Sequence, residues 1–235
     1  MKTIRTNTGP FSERPHFEPA EIDRTCVEQL RKVGLYPSAP EPIRIDRFIE
    51  KRFGIVPSYD DLPDGVLGFT EFSEKGVKAI VISRELADEE GKPAERRVRS
   101  TLAHEAGHGF LHAHLFALAQ PKTNLFDRDA CQGRQILCRE VLGSPLEAAV
   151  RPKSTWSEYQ ANRTIGGLLL PRGLVAAALK PMMVSSGGLG GTILEPEKFS
   201  DAAALLSEIF DVNPVVAQYR LEDLYRLEKN GQMML

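Results

Sequence analysis

Apolar residues recur every three to four positions in several stretches of this chain, which is the spacing of an amphipathic helix. Gly34 and Pro171 directly follow two of these stretches and are expected to end them. The pattern predicts helices over residues 19–33, 45–53 and 155–170, one from residue 93 through residue 108, and two within residues 201–228.

Other stretches alternate between apolar and polar residues or run apolar, which predicts strands. Residues 66–72 and 77–83 flank Glu74-Lys75-Gly76 and are expected to form a β-hairpin, with residues 135–138 as a further strand. One hairpin strand is expected either to hold a substrate peptide as an added strand or to serve as a structural sheet edge. The elements together predict an α+β fold, mostly helical, with a small antiparallel β-sheet and a C-terminal helical cap.

The length of 235 residues is expected to form a single domain. Near its end, Arg220 is the only basic residue between residues 214 and 225, so the last two helices are expected to pack on the core rather than to read DNA. The expected parts are an N-terminal arm and helices at 1–60, with 1–17 as a mobile arm, a catalytic core at 61–181 and a helix-turn-helix-like cap at 192–230.

The composition is that of an ordinary soluble protein, with 42% hydrophobic and 26% charged residues. A net charge of −2 argues against direct nucleic-acid binding, since such proteins are more often basic. The sequence predicts neither a signal peptide nor a membrane span. Three cysteines without a C-x-x-C pair fit a cytoplasmic protein, and Cys131 and Cys138 are either idle thiols or modulators of a nearby metal.

The strongest chemical signal is the segment His104-Glu105-Ala106-Gly107-His108, an H-E-x-x-H motif. Residues four apart on a helix lie about 40° from each other, so both imidazoles can bind one metal ion with Glu105 beside them. This arrangement is the core of a zinc hydrolase. With five histidines in 235 residues, chance alone gives the motif in about one such chain in a hundred, so its context has to support it.

The context is a helix with two different faces. Leu102, Ala103, Ala106 and Phe110 lie opposite the motif's polar residues, which predicts a half-buried catalytic helix beside the small sheet. Gly107 and Gly109 each cost about 1 kcal/mol in a helix relative to alanine. They indicate close packing, close approach of a metal, or simple tolerance.

Two more histidines follow the motif. His114 stands where metzincins have their third ligand, but Leu111 occupies the position of their helix-breaking glycine, so the metzincin pattern is rejected. His112 lies one turn beyond the two ligand histidines, too far along a straight helix for the same ion. It is expected to be a partly exposed polar residue at the edge of the cleft.

A third metal ligand is expected from the helix at residues 155–170. Glu158 and Asn162 share one face of it, so Glu158 can bind the metal while Asn162 hydrogen-bonds a ligand histidine. The pair resembles the E-x-x-x-D of thermolysin-like gluzincins. Thr155 and Glu158 also fit a capping box, in which Glu158 would merely close the start of the helix.

At these residues the chain resembles the ImmA/IrrE family of HExxH metallopeptidases, roughly over residues 45–175. Residues 99–112 look like the family's R-F-T-L-A-H-E-L-G-H-x-x-L-H, with Ser100 in place of phenylalanine. The other likenesses are E-Y-Q-A-N-R at 158–163 with L-L-P at 169–171, where Thr164-Ile165 replace Phe-Ala, and the apolar strand at 79–83.

The resemblance implies that His104, His108 and Glu158 bind Zn²⁺ and that Glu105 is the catalytic base. It also implies a protein substrate, a helix-turn-helix transcriptional repressor. The expected function is therefore zinc-dependent hydrolysis of a peptide bond, with an oxyanion donor among His112, His114 and Tyr159. The alternatives are a regulatory module that binds a repressor or DNA around a structural or vestigial zinc, and a hydrolase of a non-peptide amide.

Overall fold

Eight α-helices and eight strands make up the part of the chain that the computed structural model describes, which is residues 2–5, 13–113, 135–138, 156–186 and 191–225. The helices are α1 (Pro19–Lys32), α2 (Ile45–Phe53), α3 (Arg84–Asp88), α4 (Lys92–Leu111), α5 (Trp156–Leu169), α6 (Arg172–Leu179), α7 (Phe199–Phe210) and α8 (Pro214–Leu224). The strands are β1 (Lys2–Arg5), β2 (Glu13–His16), β3 (Ser58–Asp60), β4 (Gly68–Ser73), β5 (Gly76–Ser83), β6 (Gln135–Cys138), β7 (Val184–Ser186) and β8 (Gly191–Ile193).

The predicted helices are confirmed, and local chemistry explains their ends. Helix α1 starts with a proline in its first turn and a reciprocal pair of hydrogen bonds between Glu18 and Glu21. Helix α2 ends at Gly54, whose φ of 72° is left-handed and suits glycine. The α+β class is confirmed as well.

The main sheet has the order β3-β5-β4-β6. The predicted hairpin is present as the antiparallel pair β4–β5. The expectation of an antiparallel sheet is wrong for β3, which pairs parallel with β5, so the sheet is mixed. Because β3 and β4 lie on opposite sides of β5, the connection between them passes the end of β5 and is not a hairpin.

Each strand of the hairpin has a further neighbour along part of its length. Residues 68–71 of β4 pair with β6, whose position as a strand was predicted, and β5 lies between β3 and β4. Because β3 pairs only with residues 81–83 of β5, residues 76–80 have no described strand on that side, and the two expected uses of a hairpin strand stay predictions. The edges of this sheet, as far as the structure describes it, are β3 and β6.

Two small ribbons replace segments predicted to lack regular structure. Strands β1 and β2 pair antiparallel, with Lys2 opposite His16, within the stretch expected to be a mobile arm. Strands β7 and β8 pair antiparallel, with Val184 opposite Ile193, where no strand was predicted. Each ribbon is held by backbone hydrogen bonds between its two strands, and the spacing of side chains along the sequence does not reveal such bonds.

One hydrophobic cluster joins β5 to most of the helices, including both C-terminal ones, so the predicted helical cap does pack on the core. Arg220 of α8 is buried and donates hydrogen bonds to the carbonyl oxygen of Leu170 and to Asp23. No single helix of the described residues is long and apolar enough to cross a membrane, and only α5 taken with residues 172–182, bent by 49°, meets that length and composition. The cap contributes the buried residues Ala202, Leu206, Phe210, Val212, Val216, Ala217 and Leu221.

Candidate metal centre

The centre forms where α4 and α5 pack side by side. Gly107 faces Thr164 so closely that an added Cβ would overlap the Thr164 hydroxyl and lie 2.9 Å from its Cβ. The Thr164 hydroxyl lies 2.7 Å from the Ala161 carbonyl oxygen within α5 and 3.2 Å from the Ala103 carbonyl oxygen of α4. Of the reasons predicted for Gly107, close packing is confirmed.

Replacing Gly107 with alanine is expected to destabilise the fold by about 1–3 kcal/mol, because the new methyl group forces α4 and α5 apart. Chemical denaturation would measure the change. The matched control is Gly173→Ala in α6, where the added Cβ meets the flexible Tyr36 hydroxyl at 3.1 Å. That control is expected to be neutral or to stabilise by up to about 1 kcal/mol through helix propensity. Equal effects of both substitutions would contradict the packing role of Gly107.

Three predicted ligands meet at one point. The Nε2 atoms of His104 and His108 lie 3.0 Å apart, and the Glu158 oxygens lie 3.3 Å from each of them. Both imidazoles are buried, while the Glu158 side chain is 23% exposed. These three side chains can hold a metal ion.

The two Nε2 atoms lie 3.0 Å apart, and each lies 3.3 Å from one of the two Glu158 oxygens, which is close to the spacing of ligand atoms around a tetrahedral ion. An ion bound at zinc's usual distances of about 2.0–2.1 Å would set its ligand atoms about 3.3 Å apart. Two imidazole lone pairs and a carboxylate facing one another at 3.0–3.3 Å repel unless a cation lies among them. The donor set of two nitrogens and one carboxylate oxygen is also one that zinc accepts.

Protonation of the ligands agrees with metal binding at neutral pH. Burial lowers the pKa of His108 to about 4, so its ring is neutral at pH 7. Burial alone would raise the pKa of Glu158, but in the metal-free protein a proton shared with the facing imidazoles of His104 and His108 outweighs burial and holds that pKa well below its usual range. Glu158 is therefore charged at pH 7, and a cation that binds here takes the place of the shared proton.

Asn162 holds one ligand histidine in place, as its position four residues after Glu158 predicted. Its Oδ1 lies 3.0 Å from His104 Nδ1, and an amide oxygen only accepts, so Nδ1 carries the proton and Nε2 keeps its lone pair. The capping box suggested for Glu158 involves Thr155, which lies outside the described residues, as do His114 and Cys131. Cys138 is described only as backbone of β6.

Glu105 is buried beside the ligand set but does not join it. The Thr70 hydroxyl of β4 donates to Glu105 Oε2 at 2.6 Å, and Oε1 has no hydrogen-bond partner among the described residues. Burial raises the pKa of Glu105 to about 7, against the opposing influence of His104 and Thr70. A carboxyl group with its pKa near neutrality can both accept and return a proton.

The structure corrects the expected exposure of α4. Residues 100–109 are buried on every side, so the polar front of the helix is covered as fully as its apolar back. Strand β4 and helix α5 supply this cover, through Thr70 at Glu105 and Asn162 at His104. The prediction of a half-buried helix is therefore wrong for residues 100–109, whereas residues 92–99 include exposed positions.

The expectation for His112 is also wrong, because its ring is fully buried. Its Nδ1 lies 3.1 Å from His108 Nδ1, its Nε2 lies 3.0 Å from Gln160 Oε1, and its ring meets Trp156 edge-on. Both ring nitrogens are engaged, so His112 is a poor choice as oxyanion donor. Tyr159 is half exposed, with the Arg163 guanidinium over its ring.

Sequence reasoning missed Thr70 and Gln160. Thr70 had a signal, since it occupies an inward-facing position of an alternating strand whose other inward residues are Gly68 and Phe72. A hydroxyl among such positions needs a polar partner. Gln160 gave no comparable signal, because its partner depends on how α5 lies against α4.

Comparison of the chain with protein-family models, with curated proteins and with solved structures found no match. The likeness to the ImmA/IrrE family therefore rests on the sequence segments themselves.

Proposed function

We propose that this chain is a zinc-dependent peptidase, resembling the ImmA/IrrE metallopeptidases. The observation that carries the proposal is the convergence of His104, His108 and Glu158 beside a buried carboxyl group with its pKa raised to about 7. A structural zinc site usually closes with four protein ligands, whereas a catalytic one has three and an open position. Among the described residues, three ligands meet here.

The residues divide the chemistry between them. A bound zinc ion supplies a Lewis acid that activates water and polarises the scissile carbonyl. Glu105 takes the proton of the attacking water and passes it to the leaving amine. Thr70 holds Oε2 of Glu105, so Oε1, without a hydrogen-bond partner in the described part of the chain, is the oxygen that handles the proton.

Burial strengthens each of these roles. His104, Glu105 and His108 have no exposed surface, and charges act on one another far more strongly away from bulk water. Glu158 is the partly exposed member of the set, which puts the substrate's approach on its side. This arrangement suits a reaction whose charge develops close to the ion.

The proposed substrate is a helix-turn-helix transcriptional repressor, which follows from the family resemblance alone. The alternative, a regulatory module binding a repressor or DNA, loses support in its DNA form, because Arg220 is buried and bonded to Leu170 and Asp23. Hydrolysis of a non-peptide amide would use the same residues, since the centre specifies the metal chemistry and not the acyl group.

The proposal is tested by incubating the full chain, stripped of metal and then reloaded with zinc, with a helix-turn-helix repressor encoded beside it. Cleavage is expected after zinc is added back and is expected to stop when a chelator is present. Mass spectrometry of the products would identify the broken bond. Tight zinc binding without cleavage, together with a specific mobility shift of DNA at physiological salt, would favour the binding module instead.

A further inference from the structure

The second ligand histidine is held by a third histidine. His108 Nδ1 lies 3.1 Å from His112 Nδ1, and His112 Nε2 lies 3.0 Å from Gln160 Oε1. These contacts form a hydrogen-bonded series from Gln160 of α5, through the imidazoles of His112 and His108, to the metal-facing Nε2 of His108. His104 has a simpler arrangement, in which Asn162 contacts its Nδ1 directly.

The proton positions in this hydrogen-bonded series follow from Gln160, which stands at the end far from the metal site. Gln160 Oε1 is an amide oxygen and only accepts, so the proton of His112 lies on Nε2. Full burial favours the neutral form of His112, and a neutral imidazole with its proton on Nε2 has a lone pair on Nδ1. His112 Nδ1 is therefore an acceptor, and His108 Nδ1 must be the donor across the 3.1 Å contact.

The metal end gives the same assignment independently. His108 Nε2 faces His104 Nε2 and Glu158, so it must be unprotonated to bind a cation there. A neutral His108 then carries its proton on Nδ1, which points at His112. Gln160 at one end and the metal site at the other therefore place the proton of His108 on the same atom, Nδ1.

We infer that His112 is a positioning residue that fixes the tautomer and ring orientation of His108. The inference rests on the proposed metal centre. His112 has no exposed surface and Gln160 is 3% exposed, so bulk water is shut out from this contact. The edge-on contact of His112 with Trp156, 5.1 Å between ring centres, holds the ring in place.

Helix α5 therefore supports both ligand histidines as well as supplying Glu158. Gln160 and Asn162 stand two and four residues after Glu158. Gln160 is hydrogen-bonded to His112, which contacts His108, and Asn162 is hydrogen-bonded directly to His104. Partners that orient a ligand histidine usually contribute about 10–100-fold to metal affinity. The segment Glu158-x-Gln160-x-Asn162, paired with His112, would then be one functional unit.

The test compares two replacements of His112. In His112→Phe the ring volume stays but the acceptor is lost, so the zinc Kd is expected to rise by about 10–100-fold in chelator competition. In His112→Asn the side-chain oxygen stands at the position of Nδ1 and can accept from His108, so most of the affinity is expected to return. A purely structural role would give the opposite order, since phenylalanine preserves the ring's packing with Trp156.

A second measurement needs neither zinc nor substrate. Two-bond ¹H–¹⁵N spectra of the metal-free protein near pH 7 are expected to show His108 with its proton on Nδ1, and His112→Phe is expected to lose that single tautomer. If His112→Phe does not fold, Gln160→Met removes the outer acceptor instead and should mix the His112 tautomers. The matched control is His16→Phe, a half-exposed histidine of β2, which should change neither result.

The outcomes are distinguishable from failure of the proposed function. Unchanged zinc affinity in His112→Phe, with His108 still protonated on Nδ1, overturns the role of His112. Weaker zinc binding and a lost tautomer with no cleavage of any repressor by the parent protein support the role of His112 while the peptidase proposal fails. If the parent binds no zinc, the metal centre fails and the tautomer spectra alone decide.

Discussion

Glu105→Gln is expected to keep its zinc and to lose cleavage, with kcat lower by at least about 10²–10⁴-fold. Glutamine has nearly the same shape but cannot take a proton from the attacking water. The Thr70 hydroxyl, 2.6 Å from Glu105 Oε2, can still donate to an amide oxygen, so the side chain should stay in position. Zinc content by mass spectrometry and single-turnover cleavage would separate the two effects.

Loss of folding is not expected to explain this result. Burial raises the pKa of Glu105 to about 7, so above that pH the parent protein holds a buried, charged carboxylate. Keeping this charge away from water destabilises the folded state, and the uncharged amide of glutamine removes that destabilisation. The thermal midpoint of Glu105→Gln should therefore not fall at pH 8. The control is Glu95→Gln, at an exposed position of the same helix, which should cleave like the parent. Cleavage by Glu105→Gln at the parental rate would end the proposed mechanism.

The features that could be predicted from the sequence are those fixed by neighbours along the chain. Helix α2 was predicted with its observed bounds because its apolar spacing is local. The spacing of His104, Glu105 and His108 depends only on the turn of α4. Glu158 and Asn162 were found for the same reason, since a four-residue interval fixes their shared face of α5.

The features that were missed depend on which elements lie together in space. His112 was predicted to be partly exposed because no residue near it in the sequence indicates that α5 covers it. Its partners Trp156 and Gln160 are more than 40 residues away in the sequence. The order of strands in the sheet was missed similarly, since pairing of β6 with β4 closes a gap of about 60 residues. Such contacts are set by packing across the whole core.

Glu158→Ala is expected to weaken zinc binding by more than about 100-fold, beyond the usual effect of residues that only orient a ligand. It removes the carboxylate that, among the described residues, faces both His104 and His108, and leaves the two imidazoles to hold the ion. Chelator competition and isothermal titration would measure the change. The control is Glu197→Ala, an exposed glutamate outside the centre. Zinc binding equal to the parent's would mean that Glu158 only closes its helix.

The variants of the two glutamates should respond differently when the zinc concentration is raised. Their surroundings shift their pKa values in opposite directions, upward for Glu105 through burial and downward for Glu158 through its histidine contacts against the effect of burial. Such opposite shifts indicate a group that exchanges protons and a group that stays charged. Excess zinc is therefore expected to restore part of the cleavage by Glu158→Ala, because its defect is occupancy, and none by Glu105→Gln, because its defect is proton transfer. If zinc rescued both variants equally, both carboxylates would be acting through the metal, and the assignment of Glu105 as the base would have to be abandoned.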